Sequence, residues 1–143
     1  LQDLSVRAER TQGDFVVLLC DIDYFKGVND QHGHAVGDQA LRHLAKNLST
    51  VIRKSDSLAR WGGEEFMLVL PDTDLASGII MAERVRTSAE ENPLVTEAGV
   101  TVRLTLSCGL ANWLECKNLD QLFSLADNRL YQAKATGRNQ VVA

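Results

Sequence analysis

Ser57-Leu58-Ala59-Arg60-Trp61-Gly62-Gly63-Glu64-Glu65-Phe66-Met67-Leu68-Val69-Leu70 is the stretch that decides the fold class. Ser57–Trp61 and Glu64–Leu70 are strand-like runs on either side of a glycine pair. That spacing predicts a tight hairpin, because a primed two-residue turn asks for positive φ at its centre. Pro71 ends the second strand. On both sides of this hairpin the chain alternates helical and strand-like patterns. A hairpin within such a series breaks strict βαβ alternation, so the expected architecture is an α/β sandwich with a mixed sheet, not a doubly wound dinucleotide fold.

Working outward, Phe15-Val16-Val17-Leu18-Leu19-Cys20 is a continuous apolar run of strand length, which predicts a strand buried on both faces. It halts at Asp21-Ile22-Asp23. Ala40, Leu41, Leu44, Ala45, Leu48, Val51 and Ile52 recur at helical spacing within a segment from Val36 to Ile52. Further helices are predicted over about 1–11, from Asp74 to Glu91 before Asn92-Pro93, and from Leu119 to Ala135 with Gly137 as its cap. Val100 to Leu110 alternates apolar and polar residues. It is expected to be one strand with a helix-covered face and a more polar one. Gln140-Val141-Val142 is expected to return as a short edge strand.

The bulk numbers suit a single domain. At 143 residues the chain can bury roughly two-thirds of its unfolded surface. Its 45% hydrophobic and 24% charged residues are ordinary for a globular protein. A net charge of -4 argues against nucleic acid or an anionic membrane as the main partner, since both select a concentrated basic face. Cys20, Cys108 and Cys116 have no CxxC spacing, and Cys20 and Cys108 fall inside apolar runs; buried thiols in a reducing compartment are expected. No apolar run approaches the ~20 residues of a membrane span and no signal peptide is present, so a cytoplasmic domain is expected. Because the chain starts at Leu1, it is expected to be a piece of a longer protein, itself soluble or membrane-anchored.

Asp21 and Asp23 stand where a buried strand runs out, and Glu64 and Glu65 stand at the hairpin turn. Carboxylates beside buried runs are costly unless solvated or paired. If the two strands are neighbours, the acids converge at one end of the sheet, where they suit Mg²⁺ and metal-assisted phosphoryl or nucleotidyl transfer. Ordinary strand-end and turn acids would show the same spacing. Gly62 and Gly63 leave the backbone open to a bulky ligand, or simply make a turn.

Arg60-Trp61-Gly62-Gly63-Glu64-Glu65-Phe66 resembles the signature of the GGDEF family in its GGEEF variant. Asp21-Ile22-Asp23-Tyr24-Phe25-Lys26, Val28-Asn29-Asp30, Gly33-His34 and Gly37-Asp38 resemble a second block of that family. Ala126-Asp127, Leu130-Tyr131-Gln132-Ala133-Lys134 and Gly137-Arg138-Asn139 resemble a third. The resemblance runs from about Asp14 to Val142. It implies a nucleotidyl-cyclase-like palm, a central five-stranded mixed sheet flanked by helices. It also implies a diguanylate cyclase that condenses two GTP into cyclic di-GMP and two pyrophosphates across a homodimer, each subunit holding one GTP.

Carried over by position, the resemblance gives Asp21, Glu64 and the Ile22 carbonyl to Mg²⁺ or Mn²⁺. Glu64 would also help deprotonate the attacking hydroxyl, with Glu65 beside it. Asn29 and Asp38 would read the guanine edge, where a carboxylate can accept from donors that adenine lacks. Phe25, Lys26, Gly62 and Gly63 would cradle the substrate, and Lys134 and Arg138 would hold its triphosphate. Arg53 and Asp56 match an RxxD inhibitory site for the product, in which the Asp accepts from guanine, with Arg84 as a further cation. His34 is expected to be structural. A DxLTGLxNR segment, which usually opens the family, has no counterpart in the chain, and an upstream sensor or receiver domain is expected. The alternative is a degenerate domain that binds GTP or cyclic di-GMP without turnover. Against it, every signature position is kept.

Overall fold

Phe15–Ile22 forms β1, and all eight of its residues are buried. Successive side chains of a strand point to opposite faces, and β1 accordingly feeds two cores. Val16, Leu18, Cys20 and Ile22 enter the larger one. Phe15, Val17 and Leu19 enter the smaller one, where Phe15 stacks on Trp113. The computed structural model describes all residues from Leu1 to Ala143.

In chain order the elements are α1 (Gln2–Thr11), β1, α2 (Phe25–His32), α3 (His34–Val51), β2 (Ser57–Arg60), β3 (Glu65–Pro71) and α4 (Leu75–Glu91). They continue with β4 (Leu94–Val95), β5 (Thr101–Val102), β6 (Leu106–Asn112), a 3-10 turn (Trp113–Glu115), α5 (Leu119–Ala135) and β7 (Val141–Val142). The main sheet has five strands in the order β2-β3-β1-β6-β7, mixed because only the β6–β7 pair is parallel. This is the expected α+β sandwich. Residues of α3 and α4 pack in the larger core and residues of α1 and α5 in the smaller.

Three expectations need correction. The Val100–Leu110 run is not one strand: β5 pairs with β4 in a separate ribbon, and β6 starts only at Leu106. Between them Thr105 turns to the β1 end, its carbonyl accepting from Asp23 N–H at 2.9 Å and its hydroxyl donating to Asp23 Oδ2 at 2.7 Å. Nor does β6 keep a polar face, since all seven of its residues are buried. Gly109 is the reason. A Cβ there would lie 2.1 Å from the Leu130 amide nitrogen and 2.4 Å from the Ala126 carbonyl oxygen, so the backbone of α5 rests directly on the strand.

The hairpin is also looser than expected. Trp61–Glu64 form a four-residue loop between β2 and β3, and neither Gly62 nor Gly63 takes a positive φ. The Trp61 and Gly62 amides both donate to the Glu65 carbonyl, at 2.8 and 3.4 Å. The Arg60 guanidinium donates to the Gly62 and Gly63 carbonyls, and Trp61 stacks on Phe123 of α5 with ring centroids 5.8 Å apart. Backbone bonds to Glu65 and side-chain contacts from Arg60 and Trp61, not primed-turn dihedrals, hold the loop.

Candidate active site

The antiparallel register of β1 and β3 places Asp21 opposite Glu65, and the Ile22 amide donates to the Glu64 carbonyl at 3.2 Å. The strand-end acid and the turn acids therefore converge, as expected if the two strands were neighbours. Asp21 is only 3% exposed. Its Oδ2 pairs with the Lys134 ammonium from the last turn of α5, while its Oδ1 is buried without a hydrogen-bond partner. An orphaned buried carboxylate oxygen is costly in a folded protein. It is what an oxygen-seeking divalent cation would satisfy. Glu64 is half-buried beside it. Burial, and then the charge of Asp21, push the Glu64 carboxyl above the usual carboxylate range, with Lys134 pulling the other way.

Asp23 behaves differently. It is just as buried, but its carboxylate accepts from the Ser107 hydroxyl at 2.6 Å, the Thr105 hydroxyl at 2.7 Å and the Asn139 amide at 3.0 Å. It fastens β1, β6 and the turn after α5 together, both of its oxygens already accepting hydrogen bonds.

Beside the acid pair opens a cleft of about 600 Å³, lined by Phe25, Lys26, Asn29, Asp38, Gly63 and Glu64 together with His34, Leu41 and Arg60. Six of the expected site residues thus line one cleft, contributed by α2, α3 and the hairpin loop. Gly62 is outside the lining, and a side chain at Gly63 would meet nothing within 4 Å. Asn29 is held by a fit that the sequence did not announce. A Cβ on Gly37 would fall 1.8 Å from the Asn29 Oδ1, so Gly37 on α3 is what lets the amide of α2 sit between the two helices. His34, read as structural, is exposed and faces the cleft; its place at the start of α3 was the available signal.

Lys134 and Arg138 reach the acids from the far side of β1. Arg138 lies past the end of α5, its guanidinium 4.6 Å from the Tyr24 ring centroid and 3.8 Å from Asp23.

Arg53, Asp56 and Arg84 form a second locus at the other end of β3, roughly 20 Å from the acid pair at 3.4 Å per strand residue. Arg53 and Arg84 line a cavity of about 200 Å³ with Leu70, Thr73, Ser77, Ile80 and Met81. Asp56 is absent from that lining. Its buried carboxylate accepts from the Arg53 amide at 2.8 Å and from the Arg53 guanidinium at 2.8 Å. In the structure the Asp56 carboxylate thus grips Arg53, which also donates to Thr73 Oγ1 at 2.7 Å.

Comparison with known proteins gives one family. The family described as "Diguanylate cyclase, GGDEF domain" matches residues 1–140. The chain is 43% identical over 130 residues to diguanylate cyclase DgcM of Escherichia coli (strain K12), an alignment covering 91% of this chain and 31% of that protein. Among solved structures, the GGDEF domain of DgcB from Caulobacter crescentus in complex with c-di-GMP superposes with a TM-score of 0.94 at 30% identity, covering 100% of this chain and 85% of that one. The active GGEEF domain of a diguanylate cyclase from Vibrio cholerae gives 0.89 at 33% identity, covering 98% and 88%. The chain spans about a third of the length of the curated relatives it matches. No helix is long and apolar enough to cross a membrane.

Proposed function

Because this chain belongs to the GGDEF family, we propose that it is a diguanylate cyclase domain condensing two GTP into cyclic di-GMP and two pyrophosphates. The observation that carries the reading is the convergence of buried Asp21, with its unpartnered oxygen, and Glu64 at the mouth of the Asn29/Asp38 cleft.

Asp21 and Glu64, with the Ile22 carbonyl, would hold a divalent cation, Mg²⁺ or Mn²⁺. Bound there, such an ion supplies charge neutralisation on phosphate oxygens and orientation of the reacting groups. The residues themselves do the rest. Asn29 and Asp38 take the guanine edge, Phe25 and Lys26 lie along the phosphates, and open Gly63 lets the nucleotide lie against the hairpin. Glu64 would take up the 3′-hydroxyl proton as that oxygen attacks the α-phosphorus of the other GTP and pyrophosphate leaves. Glu65, opposite Asp21, adds a further carboxylate beside the pair, its charge also pushing the Glu64 carboxyl up. Lys134 can exchange Asp21 for a phosphate oxygen when the triphosphate enters, and Arg138 meets the same tail.

Product inhibition is read at the distal cavity. Arg53 and Arg84 present guanidinium groups suited to a phosphodiester, and Asp56 orients Arg53. The decisive assay is cyclic di-GMP formation from GTP with Mg²⁺ or Mn²⁺ and its loss on chelation. No product at high protein concentration, even in an enforced dimer, would overturn the reading. For the inhibitory site, Arg53→Ala is expected to abolish the calorimetric binding of cyclic di-GMP at the distal cavity and to relieve inhibition. Unchanged binding would discard that part.

A further inference from the structure

The turn after α5 contains three consecutive residues with positive φ: Gly137 at 129°, Arg138 at 63° and Asn139 at 45°. Glycine tolerates this backbone, but for the two side-chain-bearing residues it is disfavoured, so neighbouring contacts must hold it. Asn139 makes them. Its backbone N–H donates to Asp23 Oδ2 at 3.0 Å. Its side-chain Oδ1 accepts from Arg86 Nη1 at 3.0 Å, and its Nδ2 donates to Glu90 Oε2 at 2.5 Å. Arg86 also donates to that same Glu90 oxygen at 3.2 Å, closing a triangle between the turn and α4.

Arg138 is not fixed by contacts of comparable strength. Its 3.8 Å approach to Asp23 is too long for a hydrogen bond, and its other neighbour is the face of Tyr24. The backbone fixes where its side chain departs, and that backbone is held by the Arg138 N–H donating to the Ala133 carbonyl at 2.9 Å and, one residue on, by Asn139. We propose that Asn139, backed by Arg86 and Glu90, is the positioning residue for the triphosphate end of the substrate, aiming Arg138 at the phosphates. The inference rests on the reading of Arg138 as a triphosphate cation.

The test compares binding of GMP and of an α,β-methylene GTP analogue by calorimetry, at fixed Mg²⁺, in the whole chain. Asn139→Gly removes the amide while keeping a residue that accepts φ near 45°. Arg86→Gln leaves the turn's own sequence untouched. Arg138→Ala is the reference. Both positioning variants are expected to bind the triphosphate analogue about tenfold more weakly, or about 1.4 kcal/mol, with GMP affinity changed less than about twofold. Should Arg138→Ala lose the preference for triphosphate while Asn139→Gly and Arg86→Gln keep it, the inference is overturned and the reading of Arg138 stands. Equal losses for both ligands would make Asn139 merely structural and overturn it too. If Arg138→Ala itself keeps the preference, the triphosphate reading of Arg138 falls first and the inference with it.

Discussion

At the scale of single residues, the site rests on one conflict and one fit. The conflict is Glu64, whose carboxyl is raised above its ordinary range by burial and by Asp21. A raised acid subtracts stability when ionised. The penalty is complete above its folded pKa and vanishes as pH falls below the unfolded value of about 4.3. Glu64→Gln should therefore melt at or above the wild-type temperature at pH 7, the advantage disappearing near about pH 4, while product formation falls by about 100-fold or more. A lower melting temperature at pH 7 would mean that the ionised carboxylate stabilises the fold, and retained turnover would remove Glu64 from the metal site. The fit is that of Asn29 over Gly37. In Gly37→Ala the new methyl would collide with the Asn29 amide oxygen. The amide must leave, so KM for GTP is expected to rise about tenfold with a smaller change in kcat; an unchanged KM would mean that Asn29 does not read the base. Of these features the sequence made Glu64 legible through its place beside Gly62-Gly63. Gly37 was visible only as one letter beside Asp38, because the collision it avoids depends on how α2 and α3 meet.

At the scale of elements, long periodic or continuous patterns translated well and short ones did not. The buried run of β1 and the helical spacing of α3 came through because many residues repeat one instruction. The eight-residue α2 holds barely two turns between the acids and Gly33, too few for periodicity to register, though the positive φ of Gly33 at 88° marks its end. The alternation over Val100–Leu110 misled because it could not reveal that Thr105 would bond to Asp23, nor that Ser107 would be satisfied by the same carboxylate inside the protein. Gly109 looked like a polar-face residue and is in fact the contact on which α5 rests. Gly109→Ala would push its methyl into the backbone of α5, and helix displacement is expected to cost about 3 kcal/mol. That is a fall of roughly 6–12 °C in Tm for a chain of this size. Because Lys134 rides on α5, activity should drop even at temperatures where the variant is folded. A variant with wild-type Tm would show that α5 yields without cost. The same strand pairing brings Cys20 and Cys108 face to face with their sulfurs 3.4 Å apart, fully buried. The hydrogen bond with Cys20, and then burial, push the Cys108 thiol well up, and because both sulfurs are sealed from solvent neither should react with a thiol reagent in the native state. Cys116, half-buried, is the one expected to react.

At the scale of the whole molecule, the architecture separates two loci by the length of β3, with the acid pair at one end and the Arg53/Arg84 cavity at the other. Neither separation nor assembly could be read from composition, since a net charge of -4 says only which partners are disfavoured. Stoichiometry says more. Forming two phosphodiester bonds between two GTP molecules needs each 3′-hydroxyl to face the other's α-phosphorus, yet the chain carries one Asp21/Glu64 pair and one cleft beside it. On the proposed reaction, one copy would supply half of the reacting geometry, and a second copy would contribute proximity and orientation. Turnover should scale with dimer and not with chain. At concentrations where the chain is monomeric, the rate is expected to rise with about the square of protein concentration, flattening to linear once dimers saturate. Joining a parallel dimeric coiled coil to Leu1 should remove the quadratic regime, because α1 leads directly into β1, whose far end carries Asp21. The measurement is initial rate of cyclic di-GMP formation across a hundredfold dilution series of both proteins, with mass followed by light scattering. A specific activity that stays constant for the unfused chain while scattering reports monomer would mean that one copy brings both nucleotides together alone, and the paired-subunit mechanism would fall.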